Sequence, residues 1–130
     1  SLGDPIEVRA LSEVFGTHSS SNPLFIGSVK TNIGHLEAAA GIAGLIKVVL
    51  ALQNKEIPPN LHFHQPNPYI NWDELPFVVP TSTIPWAPSN KQFAGISSFG
   101  ISGTNAHVIL EAAPTKSQVE EPVERPLHLL

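Results

Sequence analysis

The sequence contains no cysteine and no methionine among its 130 residues. Without cysteine the chain can form no disulfide, bind no metal through thiolates and carry no thiol nucleophile of its own. Charged residues make up only 14% of the chain, against about 25% in an average globular protein, and its seven basic residues never cluster. We therefore expect no nucleic-acid partner. Because the first residue is Ser1, we expect a piece cut from a longer protein.

A secretory signal is also lacking, since no basic segment followed by an apolar one opens the chain. The longest apolar run, residues 36–52, has about the length of a short membrane span. It contains Glu37 and Lys47 and is rich in alanine and glycine, which favours a buried helix. We therefore expect a soluble, cytoplasmic protein with no membrane partner.

Hydrophobic periodicity predicts two helices in the first half of the chain. The first begins near Asp4 and stops at Gly16, and its expected apolar face consists of Ile6, Ala10, Leu11 and Val14. A β-branched and aromatic run at residues 24–29 predicts a buried strand, and residues 30–34 predict a turn. The second helix is expected over residues 35–54, where small side chains would let other backbones approach closely.

The second half of the chain is predicted to be extended. Residues 58–88 are rich in proline, which favours a wrapping loop with short edge strands at residues 77–79 and 83–86. Residues 93–98 and 106–111 predict two strands joined by a glycine-containing turn. After Pro114 the composition becomes charged and punctuated by proline, which is typical of a linker or tail.

The first candidate site is the loop of residues 28–35, here called the histidine loop, between the predicted strand and the second helix. A helix N-terminus carries free N–H groups and partial positive charge. A desolvated His35 beside Lys30 would have its charged form disfavoured. It would then donate one N–H to an oxygen that becomes negative during a reaction. The alternative is a surface histidine with no chemical role.

The second candidate is the glycine turn, residues 99–105, because such a turn can aim backbone N–H groups inward as an oxyanion hole requires. The alternative is an ordinary hairpin turn. A third pattern, His62 and His64, would share one face of a strand, but two ligands without further support do not predict a metal site. We expect His107, at the start of a strand, to be a hydrogen-bonded structural residue.

Four segments resemble the C-terminal part of a β-ketoacyl synthase, specifically the ketosynthase domain of modular type I polyketide synthases. In the family's order they are LGDPIE at residues 2–7, GSVKTNIGHLEAAAG at 27–41, PPNL at 58–61 with NP at 67–68, and SSFGISGTNAHVI at 97–109. The resemblance extends over residues 1–113. It implies an α/β, thiolase-like fold with a layered α/β/α arrangement, of which this chain holds only the C-terminal portion. Residues 114–130 then resemble the linker toward a following acyltransferase domain.

The resemblance also implies a reaction, the decarboxylative Claisen condensation of an acyl group on cysteine with a malonyl-type extender on an acyl carrier protein. It makes His35 the histidine that stabilises the enolate and Lys30 the residue that holds it, and it gives the Ile101 N–H a place in the oxyanion hole. The other residues implied in the active-site loop are Phe99, Gly100, Gly103 and Asn105.

The implied partners are the N-terminal part of the same ketosynthase, the carrier protein, the acyltransferase domain and a second copy in a homodimer. No cofactor or metal is expected to bind directly, since the substrates are carried on phosphopantetheine. Because the nucleophilic cysteine is missing, we expect this chain alone to be inactive. The alternative function is a non-catalytic packing or docking module of a multidomain synthase.

Overall fold

The computed structural model describes residues 3–16, 21–86 and 92–114. These residues form helices and strands in mixed order, so the predicted α/β class is confirmed. Apart from Pro114, the predicted linker of residues 114–130 lies outside the described residues. The elements, in chain order, are α1 (Gly3–Phe15), β1 (Leu24–Phe25), α2 (Lys30–Ile33), a 3₁₀ turn (Glu37–Ala39), α3 (Ala40–Asn54), β2 (Glu56–Ile57), a second 3₁₀ turn (Trp72–Glu74), β3 (Phe77–Val78), β4 (Ile84–Pro85), β5 (Phe93–Phe99) and β6 (Asn105–Glu111).

A small apolar core lies between α1 and the parallel pair of β1 and β3. Val8, Ile70 and Phe77 are buried in it. The partly buried side chains that pack against this core are Leu11, Phe15, Leu24, Ile26, Trp72 and Leu75. The core therefore joins segments from the beginning and the middle of the chain.

The position of α1 was predicted correctly, but its buried face was not. The helix ends just before Gly16, as expected. Ile6 and Val14 are 71% and 70% exposed, whereas Val8 is buried and Leu11 packs beside it. The helical period allows more than one apolar stripe on this sequence, and the core meets the stripe that includes Val8.

The predicted strand at residues 24–29 is much shorter in the structure. β1 pairs with β3 in parallel, with Leu24 opposite Phe77, over only two residues of each strand. Pro76 and Pro80 bracket β3, and proline has no N–H with which to extend a ladder. The partner strand therefore limits β1. β2 and β4 form a second two-residue pair, which is antiparallel.

The second predicted helix begins later than expected and is not buried. α3 begins at Ala40, after a 3₁₀ turn that starts at Glu37 with φ 48°. Ile42, Ile46 and Leu50 are 50–56% exposed, because among the described residues only part of the helix surface is covered. The continuous stretch Glu37–Asn54 has a mean hydropathy of 1.3 and is long and apolar enough to cross a membrane. Core helices of soluble proteins meet the same criterion.

β5 and β6 form the predicted antiparallel hairpin, in register from Phe93 opposite Glu111 to Phe99 opposite Asn105. Burial alternates along β5, and its half-buried face lies against α3. The close packing depends on glycine. A Cβ on Gly44 would lie 3.3 Å from Ile96 Cγ2, so the helix approaches the strand about as closely as these backbones allow.

Candidate active site

The histidine loop contains one short helix and one turn that only glycine accepts easily. α2 spans four residues, and its end is closed by a hydrogen bond of 2.9 Å from the Gly34 N–H to the Lys30 carbonyl oxygen. Gly34 has φ 74° and ψ −171°, a conformation found almost only in glycine. This residue turns the chain immediately before His35 and therefore fixes the direction in which the histidine leaves α2.

His35 makes the hydrogen bond that decides where its proton lies. Its Nδ1 accepts the Glu37 backbone N–H at 2.9 Å. A ring nitrogen that accepts a hydrogen bond carries no proton, so the neutral ring carries its proton on Nε2. The expected desolvation is wrong for the described residues, since His35 is exposed in them. His35 lies two residues before the 3₁₀ turn that leads into α3.

Lys30 occupies the first position of α2 and is exposed. Its backbone N–H donates to Ser28 Oγ at 3.2 Å. Within the described part of the chain, the structure gives no hydrogen bond between the Lys30 ammonium and His35. Its expected role in holding the histidine therefore stays a prediction.

Lys47 contacts the histidine loop, which the sequence analysis did not predict. There its charge served only as an argument against a membrane span. The half-buried Nζ of Lys47 donates to the Ser28 carbonyl oxygen and to Asn32 Oδ1, each at 3.3 Å. Burial lowers the pKa of this ammonium. The signal that could have found it is a single cation in a strongly apolar helix, since a desolvated charge requires polar partners.

The proline-rich segment also holds the histidine loop. Asn60 Oδ1 accepts the Ser28 N–H at 3.0 Å, and the Leu61 N–H donates to Thr31 Oγ1 at 3.2 Å. The Thr31 hydroxyl in turn donates to the Ser28 carbonyl oxygen at 3.0 Å. The loop is therefore fixed both to α3 and to the segment that includes Asn60.

The glycine turn closes the hairpin with two backbone hydrogen bonds. The Gly100 N–H donates to Thr104 O at 2.8 Å, and the Gly103 N–H donates to Gly100 O at 2.9 Å. Gly103 has φ 86°. These bonds leave the Ile101 N–H without a partner among residues 3–16, 21–86 and 92–114, and the Ile101 side chain is fully exposed. The Ser102 and Thr104 N–H groups likewise have no partner among these residues, so the turn can offer several backbone donors to a ligand, of which the Ile101 N–H is one.

α3 packs against β5 at its two glycines. A Cβ on Gly41 would lie 3.3 Å from Ser98, one residue before the glycine turn. The contact between Gly44 and Ile96 follows one helical turn later, so α3 runs antiparallel to β5. Along the chain, His35 precedes Gly41 by six residues, and Ile101 follows Ser98 by three.

The other histidines in the described ranges are His62, His64 and His107. His62 has φ 59° and lies in a turn rather than on a strand, so the condition under which it would share a face with His64 is not met. The described ranges contain no group of three or more histidine, cysteine, aspartate or glutamate side chains that could hold a metal ion. His107 is on β6, with Nδ1 2.9 Å from Ser97 Oγ, which confirms a hydrogen-bonded histidine.

Two family models match the chain. The model for the β-ketoacyl synthase C-terminal domain matches residues 1–64, and the model for the ketoacyl-synthetase C-terminal extension matches residues 66–130. The second match includes the segment predicted as a linker.

Relatives and solved structures agree with these models. The chain is 52% identical over 118 residues to a phenolphthiocerol/phthiocerol polyketide synthase of Mycobacterium tuberculosis, covering 89% of this chain and 8% of that protein. It is 53% identical over 121 residues to an erythronolide synthase of Saccharopolyspora erythraea, covering 92% of this chain and 4% of that protein. The ketosynthase from module 6 of the bacillaene synthase of Bacillus subtilis matches with a TM-score of 0.79 and 44% identity, over 86% of this chain and 20% of that one.

The chain thus spans only a small part of the relatives that it matches. Its structural likeness confirms the expected C-terminal portion of a thiolase-like fold. Family models over both halves and identities above 50% to polyketide synthases lead to one conclusion. The chain belongs to the β-ketoacyl synthase family, as the C-terminal region of a polyketide synthase ketosynthase.

Proposed function

We propose that this chain carries the enolate-stabilising half of a ketosynthase active site. An acyl group is held as a thioester on a cysteine from the N-terminal part of the same ketosynthase. A malonyl-type extender, carried on the phosphopantetheine of an acyl carrier protein, loses CO₂. The electron pair of the broken C–C bond forms an enolate, whose carbon attacks the acyl thioester and expels the cysteine thiolate.

The observation that carries this proposal is the hydrogen bond from the Glu37 N–H to His35 Nδ1. It makes Nε2–H the available donor of the neutral ring. The enolate oxygen becomes negative as CO₂ leaves, and a preoriented donor is worth most where charge develops. His35 therefore donates Nε2–H to that oxygen, and the ring needs no proton transfer of its own for this step.

The glycine turn and Lys30 complete the proposed site. Lys30 maintains the position and charge state of His35. The unpaired Ile101 N–H stabilises the oxyanion that forms when the enolate attacks the acyl thioester, together with the N–H of the cysteine. The other residues that we assign to this active-site loop are Phe99, Gly100, Gly103 and Asn105.

The proposed partners follow from the reaction. The site is completed by the N-terminal part of the ketosynthase, receives substrate from the acyl carrier protein and works next to an acyltransferase domain, in a cytoplasmic homodimer. We divide the chain into ketosynthase residues 1–113 and linker residues 114–130. Because the sequence has no cysteine, the 130-residue chain alone forms no acyl-enzyme.

The test uses the complete ketosynthase that contains this sequence. His35→Ala is expected to lower the rate of extender decarboxylation by about 100- to 1,000-fold, the usual effect of losing one such donor. Acylation of the cysteine is expected to stay near normal. His35→Gln, whose amide can replace the Nε2–H donor, should retain more activity than His35→Ala.

The matched control is His64→Ala, which removes an exposed histidine outside both candidate segments. It should decarboxylate the extender at the normal rate. If His35→Ala is folded and decarboxylates as fast as this control, the proposal is wrong.

One observation favours a second function, that of a non-catalytic packing module. Ile42, Ile46 and Leu50 form an exposed apolar stripe along α3, which is suited to packing against another segment. In that case Ile46→Asp would disrupt assembly of the ketosynthase, while His35→Ala would leave turnover unchanged. A loss of decarboxylation in folded His35→Ala excludes packing as the sole function of the chain.

A further inference from the structure

We infer that Lys47 is a positioning residue for the histidine loop: its ammonium joins α3 to the backbone that leads to His35. The inference rests on the proposed function of His35 and extends it to a residue on another element. Lys47 does not touch the proposed substrate position, so it acts only through the loop.

The Lys47 ammonium bonds to one residue before α2 and to one residue within it. Nζ lies 3.3 Å from the Ser28 carbonyl oxygen, which precedes the short helix, and 3.3 Å from Asn32 Oδ1, which is inside it. A helix of four residues has too few internal hydrogen bonds to be stable by itself. Its orientation therefore depends on contacts such as these.

The chemistry of the two acceptors suits an ammonium group. A lysine has three N–H donors and can bond a carbonyl and an amide oxygen at once. The Ser28 carbonyl oxygen also accepts the Thr31 hydroxyl, at 3.0 Å, and each carbonyl has two acceptor positions. Methionine would fill similar space but donate nothing.

A contribution to the free energy of unfolding does not by itself explain why a lysine occupies position 47. The flanking positions of α3 are apolar, Lys47 is half-buried, and within the described part of the chain no carboxylate pairs with it. Taking a charge out of water without an ion pair costs free energy. An apolar side chain would avoid this cost, so the contribution of Lys47 lies in where it holds the loop.

The hydrogen bonds between the histidine loop and the proline-rich segment remain when Lys47 is replaced. The bond from the Ser28 N–H to Asn60 Oδ1 and the bond from the Leu61 N–H to Thr31 Oγ1 do not involve α3. Removing the ammonium is therefore expected to loosen the loop without unfolding the domain.

The experiment compares Lys47→Met, Lys47→Arg and Lys55→Met in the complete ketosynthase. Lys55 is an exposed lysine at the end of the same helix, and Lys55→Met is the matched control. We expect Lys47→Met to lower kcat for extender decarboxylation by about 10- to 100-fold, because small displacements of catalytic groups have effects of this size. KM and cysteine acylation should match the control, the denaturation midpoint should be no lower than that of the control, and Lys47→Arg should recover most of kcat.

Two results would overturn the inference. One is a Lys47→Met protein whose kcat equals that of Lys55→Met. The other is a parallel loss of kcat, cysteine acylation and stability, which would make Lys47 merely structural. His35→Ala, measured in the same assay, separates this failure from that of the proposed function. If His35→Ala is also fully active, the proposed function itself is wrong.

Discussion

Gly34 offers the most direct test of how the backbone aims His35. Its φ of 74° and ψ of −171° lie outside the left-handed helical region, so asparagine gains nothing there over alanine. An added Cβ would meet no atom within 4 Å. A substitution at this position therefore changes the backbone energy without causing a collision.

The expected cost of Gly34→Ala is about 1–3 kcal/mol of unfolding free energy, the usual range for a residue held in such a region. The loop can reduce this strain only by rotating the peptide. That rotation weakens the bond of 2.9 Å from the Gly34 N–H to the Lys30 carbonyl oxygen and moves His35. We therefore expect decarboxylation by the complete ketosynthase to fall together with stability.

Gly27→Ala is the matched control, because a Cβ at Gly27 would meet only Asn60 Oδ1, at an ordinary 3.8 Å, and its φ is not positive. Chemical denaturation of both variants measures the difference in unfolding free energy, and CO₂ release from a malonyl thioester measures the chemistry. If Gly34→Ala equals Gly27→Ala in both measurements, the conformation of Gly34 does not aim the histidine, and the reasoning is refuted.

Two further predictions concern the hairpin. A Cβ on Gly95 would lie 2.9 Å from His107 Cε1, so Gly95→Ala should displace the ring, break its bond to Ser97 and cost about 1 kcal/mol. Denaturation in a His107→Ala background should show almost no further cost, and an equal cost there would contradict this explanation. Ile101 is the second residue of the turn closed by the bond from Gly103 to Gly100, a position that favours proline. Ile101→Pro should therefore keep the hairpin, lose the N–H donor and slow condensation by about 100- to 1,000-fold relative to Ile101→Val; equal rates would exclude this N–H from the oxyanion hole.

Local patterns were sufficient to predict the hairpin. Alternating side chains and a turn with two glycines determine both strands and their connection, and each strand exceeds its predicted length by only one residue. The partners in a hairpin are close in sequence, so little outside information is needed. The same holds for the bounds of α1.

Errors arose where distant segments decide the outcome. The face of α1 depends on Ile70 and Phe77, more than 60 residues away, rather than on the helical period. The length of β1 depends on the prolines that flank β3. Lys47 was missed because its acceptors lie 15 and 19 residues earlier in the chain, and no local pattern marks such a bond.

In the candidate site, local sequence likewise determines the direction of the His35 ring, but it does not determine whether the ring is shielded from water. The direction of the imidazole follows from a bond between His35 and Glu37, two residues apart, and from the turn at Gly34. Exclusion of water requires a segment that covers His35, and the described residues leave this histidine exposed. A donor is worth far more in a dry, low-dielectric site than in water. The chain can therefore fix the geometry of the Nε2–H donor by itself, but the catalytic value of that donor depends on a cover that the described residues do not provide.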